Sequence, residues 1–150
     1  MRIASSCLLR GPWRRRAGAA AEFALICPLL VTMVLGAVDF GRFAFYYIAV
    51  TNAARAGAQY GSMNNYTSST QTAWQNGIKQ AVTDEMSQQV GSGNIPTQPT
   101  PTTTTDANGL KRVRVTAVYT FTTVVNWQWT GLGLPHTVNM KRTVEMRLIR

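Results

Sequence analysis

The longest apolar segment of the chain lies near its N-terminus. Residues 23–38 are apolar at almost every position, with Pro28 and Gly36 as interruptions. A helix needs about 20 such residues to cross a bilayer. The segment reaches this length when the small residues at 18–21 and the aromatic-rich stretch at 40–50 are included. The pattern therefore predicts one transmembrane helix with an aromatic belt at its far end.

Small residues continue the helical pattern beyond this apolar segment. Ala49, Ala53 and Gly57 recur at helical spacing, and Gly61 followed by serine is a typical helix end. A continuous helix over 19–60 measures about 60 Å, which is about twice the hydrocarbon thickness of a bilayer. Its second half must therefore protrude into water or pack on other protein, and its small residues offer surfaces for close helix association.

The remainder of the chain predicts a second helix and a small sheet. Residues 70–90 are amphipathic, and residues 113–125 and 138–149 alternate between apolar and polar side chains. The apolar face of the second helix carries Trp74, Ile78, Ala81, Val82 and Met86. We expect the two strands to pair antiparallel, with this face packed on them. The Thr/Pro-rich segment 91–109 predicts a loop.

These elements predict an α+β fold in three parts. Residues 1–17 form a basic leader, residues 18–61 a transmembrane and protruding helix, and residues 62–150 an α+β domain that includes the loop at 91–109. The fold class is a long N-terminal transmembrane helix, a second amphipathic helix and a small C-terminal antiparallel sheet.

The charge distribution predicts the topology of the membrane segment. The formal net charge is +9, from 15 Lys and Arg against 6 Asp and Glu, and five arginines with no acidic residue precede the apolar segment. These arginines are Arg2, Arg10, Arg14, Arg15 and Arg16. Under the positive-inside rule the N-terminus is cytoplasmic and residues 62–150 are exported. A nucleic-acid partner is not expected, because the densest basic cluster adjoins a membrane segment instead of lying on a folded domain.

The sequence contains no pattern of residues typical of a catalytic or metal site. His136 is the only histidine, and no cysteine or second histidine offers metal-ligand spacing. Asp84 and Glu85 are adjacent and point about 100° apart on a helix, which makes them a poor acid/base pair. We expect no enzymatic activity, no cofactor, no metal and no small-molecule substrate.

Four polar or helix-breaking residues stand out in the first helix. Glu22 lies at the start of the apolar segment, where it is either a functional intramembrane acid or an interfacial residue favoured by the helix dipole. Asp39 and Arg42 are three residues apart, so they can pair and reduce the cost of charges near the membrane. Pro28 removes one helical hydrogen bond, which membrane helices tolerate.

Residues 16–62 resemble the TadE/TadG-like family of pilus-assembly proteins. The resemblance rests on the small-residue run at 18–21, Glu22-Phe23-Ala24-Leu25, Pro28, the exit with Asp39 and Gly41-Arg42, and the small residues at 53–58. It implies a minor pilin or pseudopilin-like subunit of a tight-adherence type IV pilus, with a pilin-like fold. The assembly-helix residues that it implies are Glu22, Pro28, Gly36, Asp39 and Arg42.

The resemblance also implies a location and partners. The location is the bacterial inner membrane, crossed once, with the exported domain periplasmic or extracellular. The partners are other pilin-like subunits, the pilus-assembly machinery and a prepilin peptidase. The processing site would involve Ala17, Gly18, Glu22 and Phe23. Cleavage after Gly18 makes Glu22 the fourth mature residue, whereas cleavage after Ala17 makes it the fifth but puts Ala where Gly is preferred, and both remain open.

A second interpretation is a secreted soluble protein with a cleaved signal peptide. The basic leader and the apolar segment fit this class. Glu22 at the head of the apolar segment argues against it, and so does Leu35-Gly36-Ala37, which has a bulky residue at the first small position of a cleavage site. Membrane partitioning of the mature chain distinguishes the two interpretations.

Overall fold

The computed structural model describes residues 13–64, 66–91, 97–127, 133 and 135–149. The helices are α1, Trp13–Met63, and α2, Gln71–Val90. The strands are β1, Thr97–Thr105, β2, Lys111–Thr122, and β3, Thr137–Arg147, and they form one antiparallel sheet in the order β1-β2-β3. The predicted α+β fold is confirmed. Residues 1–12 of the predicted leader lie outside the described residues, as do the side chains of 13–17.

The chain divides into two compact units, Met1–Val38 and Asp39–Arg150. The described side chains of the first unit belong to α1, and its large apolar residues are exposed, with Phe23 at 65% and Leu25 at 80%. By length and composition, α1 is the one helix of the described residues that could cross a membrane. At 1.5 Å per residue, the helical segment 18–38 is about 31 Å long, which matches the hydrocarbon thickness.

α1 continues through Pro28 without a break in its helical assignment. The hydroxyl of Thr32 donates a hydrogen bond to the carbonyl oxygen of Pro28 at 2.7 Å. This bond satisfies the polar side chain within the helix, as an apolar environment requires.

The second unit has one core, built from the C-terminal half of α1, α2 and the sheet. α2 contributes its predicted face, of which Trp74, Ile78, Val82 and Met86 are buried. The other core residues are Ala49, Val50, Ala53, Ala54, Ala58, Val113, Val115, Ala117 and Leu148. The prediction that the two C-terminal strands pair antiparallel and that α2 packs on their apolar face is confirmed.

Glycines allow α1 and α2 to approach closely. A Cβ built on Gly61 of α1 would lie 2.9 Å from Ile78 Cδ1 and 3.0 Å from Val113 Cγ2. The Trp74 indole also donates to the Gly61 carbonyl oxygen at 3.0 Å, which satisfies a carbonyl in the last turn of α1. The small residues of this helix thus form a packing surface for the rest of the unit.

Arg142 interrupts the apolar side of β3, and the structure gives the reason. Its guanidinium carbon lies 4.0 Å from the centroid of the Tyr47 ring on α1, a cation–π contact. The neighbouring outward positions pair across the strands, with Arg114 bonded to Glu145 at 2.5 Å and the hydroxyls of Thr116 and Thr143 2.9 Å apart.

The prediction of a loop over 91–109 is wrong for 97–105, which form β1. Its threonines are β-branched and suit a strand, and they pair with β2 from Thr100↔Thr116 to Thr105↔Lys111. Proline is tolerated on an edge strand, where its missing N–H costs no ladder bond. Pro99 lies at an irregularity in the register and is buried.

The turn between β1 and β2 is built by Asp106 and Gly109. Gly109 has a φ of 75°, a left-handed conformation that favours glycine, and its N–H donates to the Asp106 carbonyl oxygen at 2.9 Å. The Ala107 N–H and the Arg112 guanidinium, at 2.8 and 2.6 Å, bind the Asp106 carboxylate and lower its pKa. This turn lets the threonine-rich segment fold back along β2.

Candidate functional site on the long helix

All residues of the predicted processing site lie in α1. Gly18, Glu22 and Phe23 are exposed, and a Cβ built on Gly18 would meet no atom within 4 Å. Ala17 and Gly18 are consecutive residues of the same helical turn. The geometry therefore favours neither of the two cleavage positions.

The predicted assembly-helix residues fall into both units. Glu22, Pro28 and Gly36 belong to the first unit, whereas Asp39 and Arg42 belong to the second. The pairing of Asp39 with Arg42 that their spacing suggested is present, with Arg42 Nη1 3.3 Å from Asp39 Oδ1.

Asp39 has stronger partners than Arg42. The carboxylate is buried, at 6% exposure. Its Oδ1 accepts the backbone N–H of Val124 at 2.8 Å, and its Oδ2 accepts the indole N–H of Trp127 at 3.1 Å. The Val125 N–H, at 3.4 Å from Oδ2, makes a weaker contact. We call Asp39, Arg42, Val124, Val125 and Trp127 the Asp39 cluster.

The end of β2 explains why these donors need Asp39. Beyond Thr122, the ladder to β3 continues through the Thr123 N–H, which donates to the His136 carbonyl oxygen at 3.0 Å. Val124 and Val125 come after this last rung, so β3 offers them no carbonyl. A backbone N–H that has no carbonyl partner needs another acceptor, and the Asp39 carboxylate supplies it from α1.

All four partners of the Asp39 carboxylate are donors. An ionised carboxylate is acceptor-only, so it matches this set. Hydrogen bonds to a charged acceptor are stronger than neutral ones, and they offset the desolvation of a buried charge. The Asp39 carboxylate therefore links α1 to residues 124–127, which follow β2. These donors lie 85 to 88 residues from Asp39 in sequence.

The aromatic residues beyond Asp39 do not all form the predicted belt. Phe43 and Tyr46 pack on Phe121, with ring centroids 5.7 Å apart in both pairs, and Tyr46 stacks on Tyr119 at 5.0 Å. Only part of the stretch points outward: Phe40 is 73% and Phe45 is 52% exposed. The prediction of a belt is wrong for Phe43 and Tyr46, because both are half-buried against Phe121 of β2.

The small residues in the second half of α1 also have partners within the chain. Ala49, Ala53 and Gly57 were predicted as surfaces for association with other helices. They are buried against α2 and the sheet, so that prediction is wrong for these three positions. The other small residues expected to offer such surfaces are those at 18–21 and Ala37, which are exposed, and Gly36, which is half-buried.

Sequence reasoning missed the continuous inner face of α1. Asp39, Phe43, Tyr46 and Val50 follow one another at three- and four-residue intervals, and Gly57 and Gly61 extend the same face. This spacing is the helical signal that could have found it.

Comparison with known proteins supports the resemblance of this helix. The family model described as TadE-like protein matches residues 18–59, which confirms the predicted similarity. The matched segment contains both the exposed apolar part of α1 and most of the part that is buried in the second unit. No curated protein and no solved structure matches the chain.

Proposed function

We propose that this protein is a minor pilin or pseudopilin-like membrane subunit that takes part in the assembly of a tight-adherence type IV pilus. The single observation that carries the proposal is the TadE-like match over 18–59. That match suggests involvement in pilus assembly together with other pilus components. Such a role is structural and needs no catalytic group, cofactor or metal.

The proposal includes a single crossing of the bacterial inner membrane. The exposed apolar side chains of 18–38 would be costly in water and suit hydrocarbon. Glu22 is the one charged residue of this segment. Its partners in the assembly would be other pilin-like subunits and the assembly machinery, with a prepilin peptidase for the leader.

The proposed topology can be tested with a reporter. We expect alkaline phosphatase fused after Arg150 to be active, because the arginine-rich leader holds the N-terminus in the cytoplasm. A cytoplasmic reporter, such as a fluorescent protein that folds only there, should be dark at the same position. Bright cytoplasmic fluorescence with inactive phosphatase would contradict the orientation.

Carbonate extraction of the same cells separates the proposal from the secreted alternative. We expect the mature chain to stay in the membrane pellet. A soluble chain whose first residue lies near Val38 would instead support signal-peptide cleavage, since the second unit begins at Asp39.

Glu22 is proposed to act in subunit recognition. If the leader is cut beside Gly18, the new amine lies about one helical turn from Glu22. A neighbouring subunit's Glu22 can pair with such an amine and satisfy a carboxylate that would otherwise stay unpaired in an apolar setting. An unpaired charge there costs a few kcal/mol, enough to select the register in which helices meet.

We expect Glu22→Gln to insert into the membrane normally but to enter the pilus assembly poorly. The matched control is Thr32→Val, which removes another polar group of the same segment whose hydrogen bond stays within α1. Co-purification with other pilus components and pilus-dependent adhesion measure the outcome. Wild-type assembly by Glu22→Gln would make Glu22 an interfacial residue without a role in recognition.

A further inference from the structure

A pocket lies within the second unit, between β1 and the N-terminal part of α2. Its volume is about 280 Å³, close to the lower end of the range for ligand sites, roughly 300 Å³. Its walls include Tyr66 before α2, Gln71 and Gln75 on α2, and residues 101–103 of β1. None of its lining residues is charged, so the pocket suits an uncharged ligand.

The wall on the side of β1 is the free edge of this strand. Successive side chains of a strand point to opposite faces of the sheet, yet Pro101, Thr102 and Thr103 all line the pocket. The edge is the part of a strand that three consecutive residues share. Among the described residues, β1 pairs with β2 on its other side and with no further strand, so this edge is open.

The ladder between β1 and β2 shows which backbone groups the open edge presents. The Asp106 N–H donates to the Leu110 carbonyl oxygen, and the register is regular from there to Thr100. Alternate residues therefore direct their N–H and C=O toward β2, and the residues between them, which include Thr103, direct theirs away from it. Pro101 also faces outward, where it lacks an N–H but offers its carbonyl oxygen.

The wall on the side of α2 presents two carboxamides. Gln71 and Gln75 are four residues apart on this helix, so their side chains lie on the same side of it. A carboxamide has two N–H donors and an acceptor oxygen. Between these walls, the Tyr66 ring packs against Trp74 with the ring centroids 4.9 Å apart. The pocket thus combines hydrogen-bonding groups on two opposite walls with an aromatic ring.

We propose that this pocket binds an extended, uncharged peptide segment of a partner protein, which adds to β1 as an outer strand. The peptide residue opposite Thr103 accepts the Thr103 N–H and donates to the Thr103 carbonyl oxygen. The peptide residues on either side direct their backbone groups away from β1, toward Gln71 and Gln75. Both edges of the peptide are then hydrogen-bonded, while Tyr66 and Pro101 supply apolar contacts.

The groups at Thr103 match a peptide better than a simple amide. The N–H and the C=O of one strand residue point to the same side, whereas those of a single trans amide point in opposite directions. One amide group can therefore bond only one of the two, but one residue of an extended peptide bonds both. The pocket belongs wholly to the second unit, so this inference goes beyond the proposed role in pilus assembly and does not depend on it.

Nuclear magnetic resonance titration of the isotope-labelled full chain in detergent micelles tests the proposal. The probe is the blocked peptide acetyl-Ser-Val-Ser-Val-Ser-amide, because a site that binds the peptide backbone should accept any extended uncharged segment. The second probe is the same peptide methylated on each of its amino-acid nitrogens. We expect saturable shifts at the Thr103 amide and at the side-chain amides of Gln71 and Gln75. We expect the methylated peptide to bind at least about ten-fold more weakly.

Protein variants distinguish pairing with β1 from general adsorption. Thr103→Pro removes an outward N–H, and proline already occupies the equivalent position at 101, so the sheet should persist while affinity falls at least about ten-fold. Gln75→Ala should also weaken binding, whereas Gln88→Ala, at an exposed position of the same helix outside the pocket, should bind like the wild type. Hydrogen-exchange protection of Val113 reports the fold, and if Thr103→Pro loses it, Gln75→Ala decides.

Three results would overturn the proposal. The first is the absence of a saturable shift at Thr103 with the unmethylated peptide. The second is equal affinity for the two peptides, since the backbone N–H groups would then have no role. The third is equal affinity of Gln75→Ala and Gln88→Ala, which would place the peptide elsewhere on the chain.

Discussion

Asp39→Asn is expected to lower the free energy of unfolding of the second unit by about 2–4 kcal/mol. The substitution keeps the size of the side chain but replaces one acceptor oxygen by an amide NH₂ group. Whichever way the amide turns, the NH₂ group faces a donor, either the Val124 N–H or the Trp127 indole N–H. The donor that faces the NH₂ group then loses its acceptor, and the penalty is largest when that donor is the indole of the buried Trp127.

The measurement is urea denaturation of the full chain in detergent micelles, followed by tryptophan fluorescence. Hydrogen exchange at the amides of Val124 and Val125 should accelerate in the same variant, because both amides donate to Asp39. Asp84→Asn is the matched control, since that carboxylate is exposed on α2, and it should change the stability by less than about 0.5 kcal/mol. Equal stability of the two variants would show that the Asp39 cluster does not hold the unit together.

The sequence could predict the near partner of Asp39 but not the distant ones. Arg42 is three residues away on the same helix, so helical geometry alone brings it within reach. Val124, Val125 and Trp127 are 85 to 88 residues away. Their need for an acceptor follows from where the β2–β3 ladder ends, and no local pattern marks that point.

The missed strand has a different cause. The strand signal in β2 and β3 is an alternation of apolar and polar side chains. In contrast, β1 consists of threonine and proline with one glutamine and shows no such alternation. Its inward positions, such as Pro101 opposite Val115, carry little of the usual apolar pattern. The turn residues Asp106 and Gly109 were the available sign of a hairpin, and they gain meaning only when β2 is recognised as the partner.

The sequence alone does not distinguish which partner the small residues of α1 pack against. Alanine and glycine at helical spacing permit close approach to any partner, whether another subunit in the membrane or another element of the same chain. The apolar faces of α2 and β2 needed a third element to cover them, and the second half of α1 is that element. The large apolar side chains that the structure describes in 18–38 are exposed.

Gly57 provides the most direct test that the second half of α1 packs against α2 and β2. A Cβ on Gly57 would collide with the Val82 side chain, and it would lie 3.3 Å from both Ile78 Cγ2 and Val115 Cγ1. These atoms come from α2 and β2, so the helix cannot shift away from one without meeting the other. Space for a methyl group can come only from separating packed elements.

We expect Gly57→Ala to destabilise the second unit by about 1–3 kcal/mol, although alanine is the better helix former by about 1 kcal/mol. Gly57→Leu should prevent native packing and remove hydrogen-exchange protection from Val113 and Val115. Gly41→Ala is the matched control, because it makes the same change in the same helix where a Cβ meets no atom within 4 Å. It should leave stability unchanged or raise it by up to about 1 kcal/mol. If urea denaturation in micelles gave Gly57→Ala and Gly41→Ala the same stability, α1 would not pack between α2 and the sheet as described, and its small residues would again be free to meet another helix.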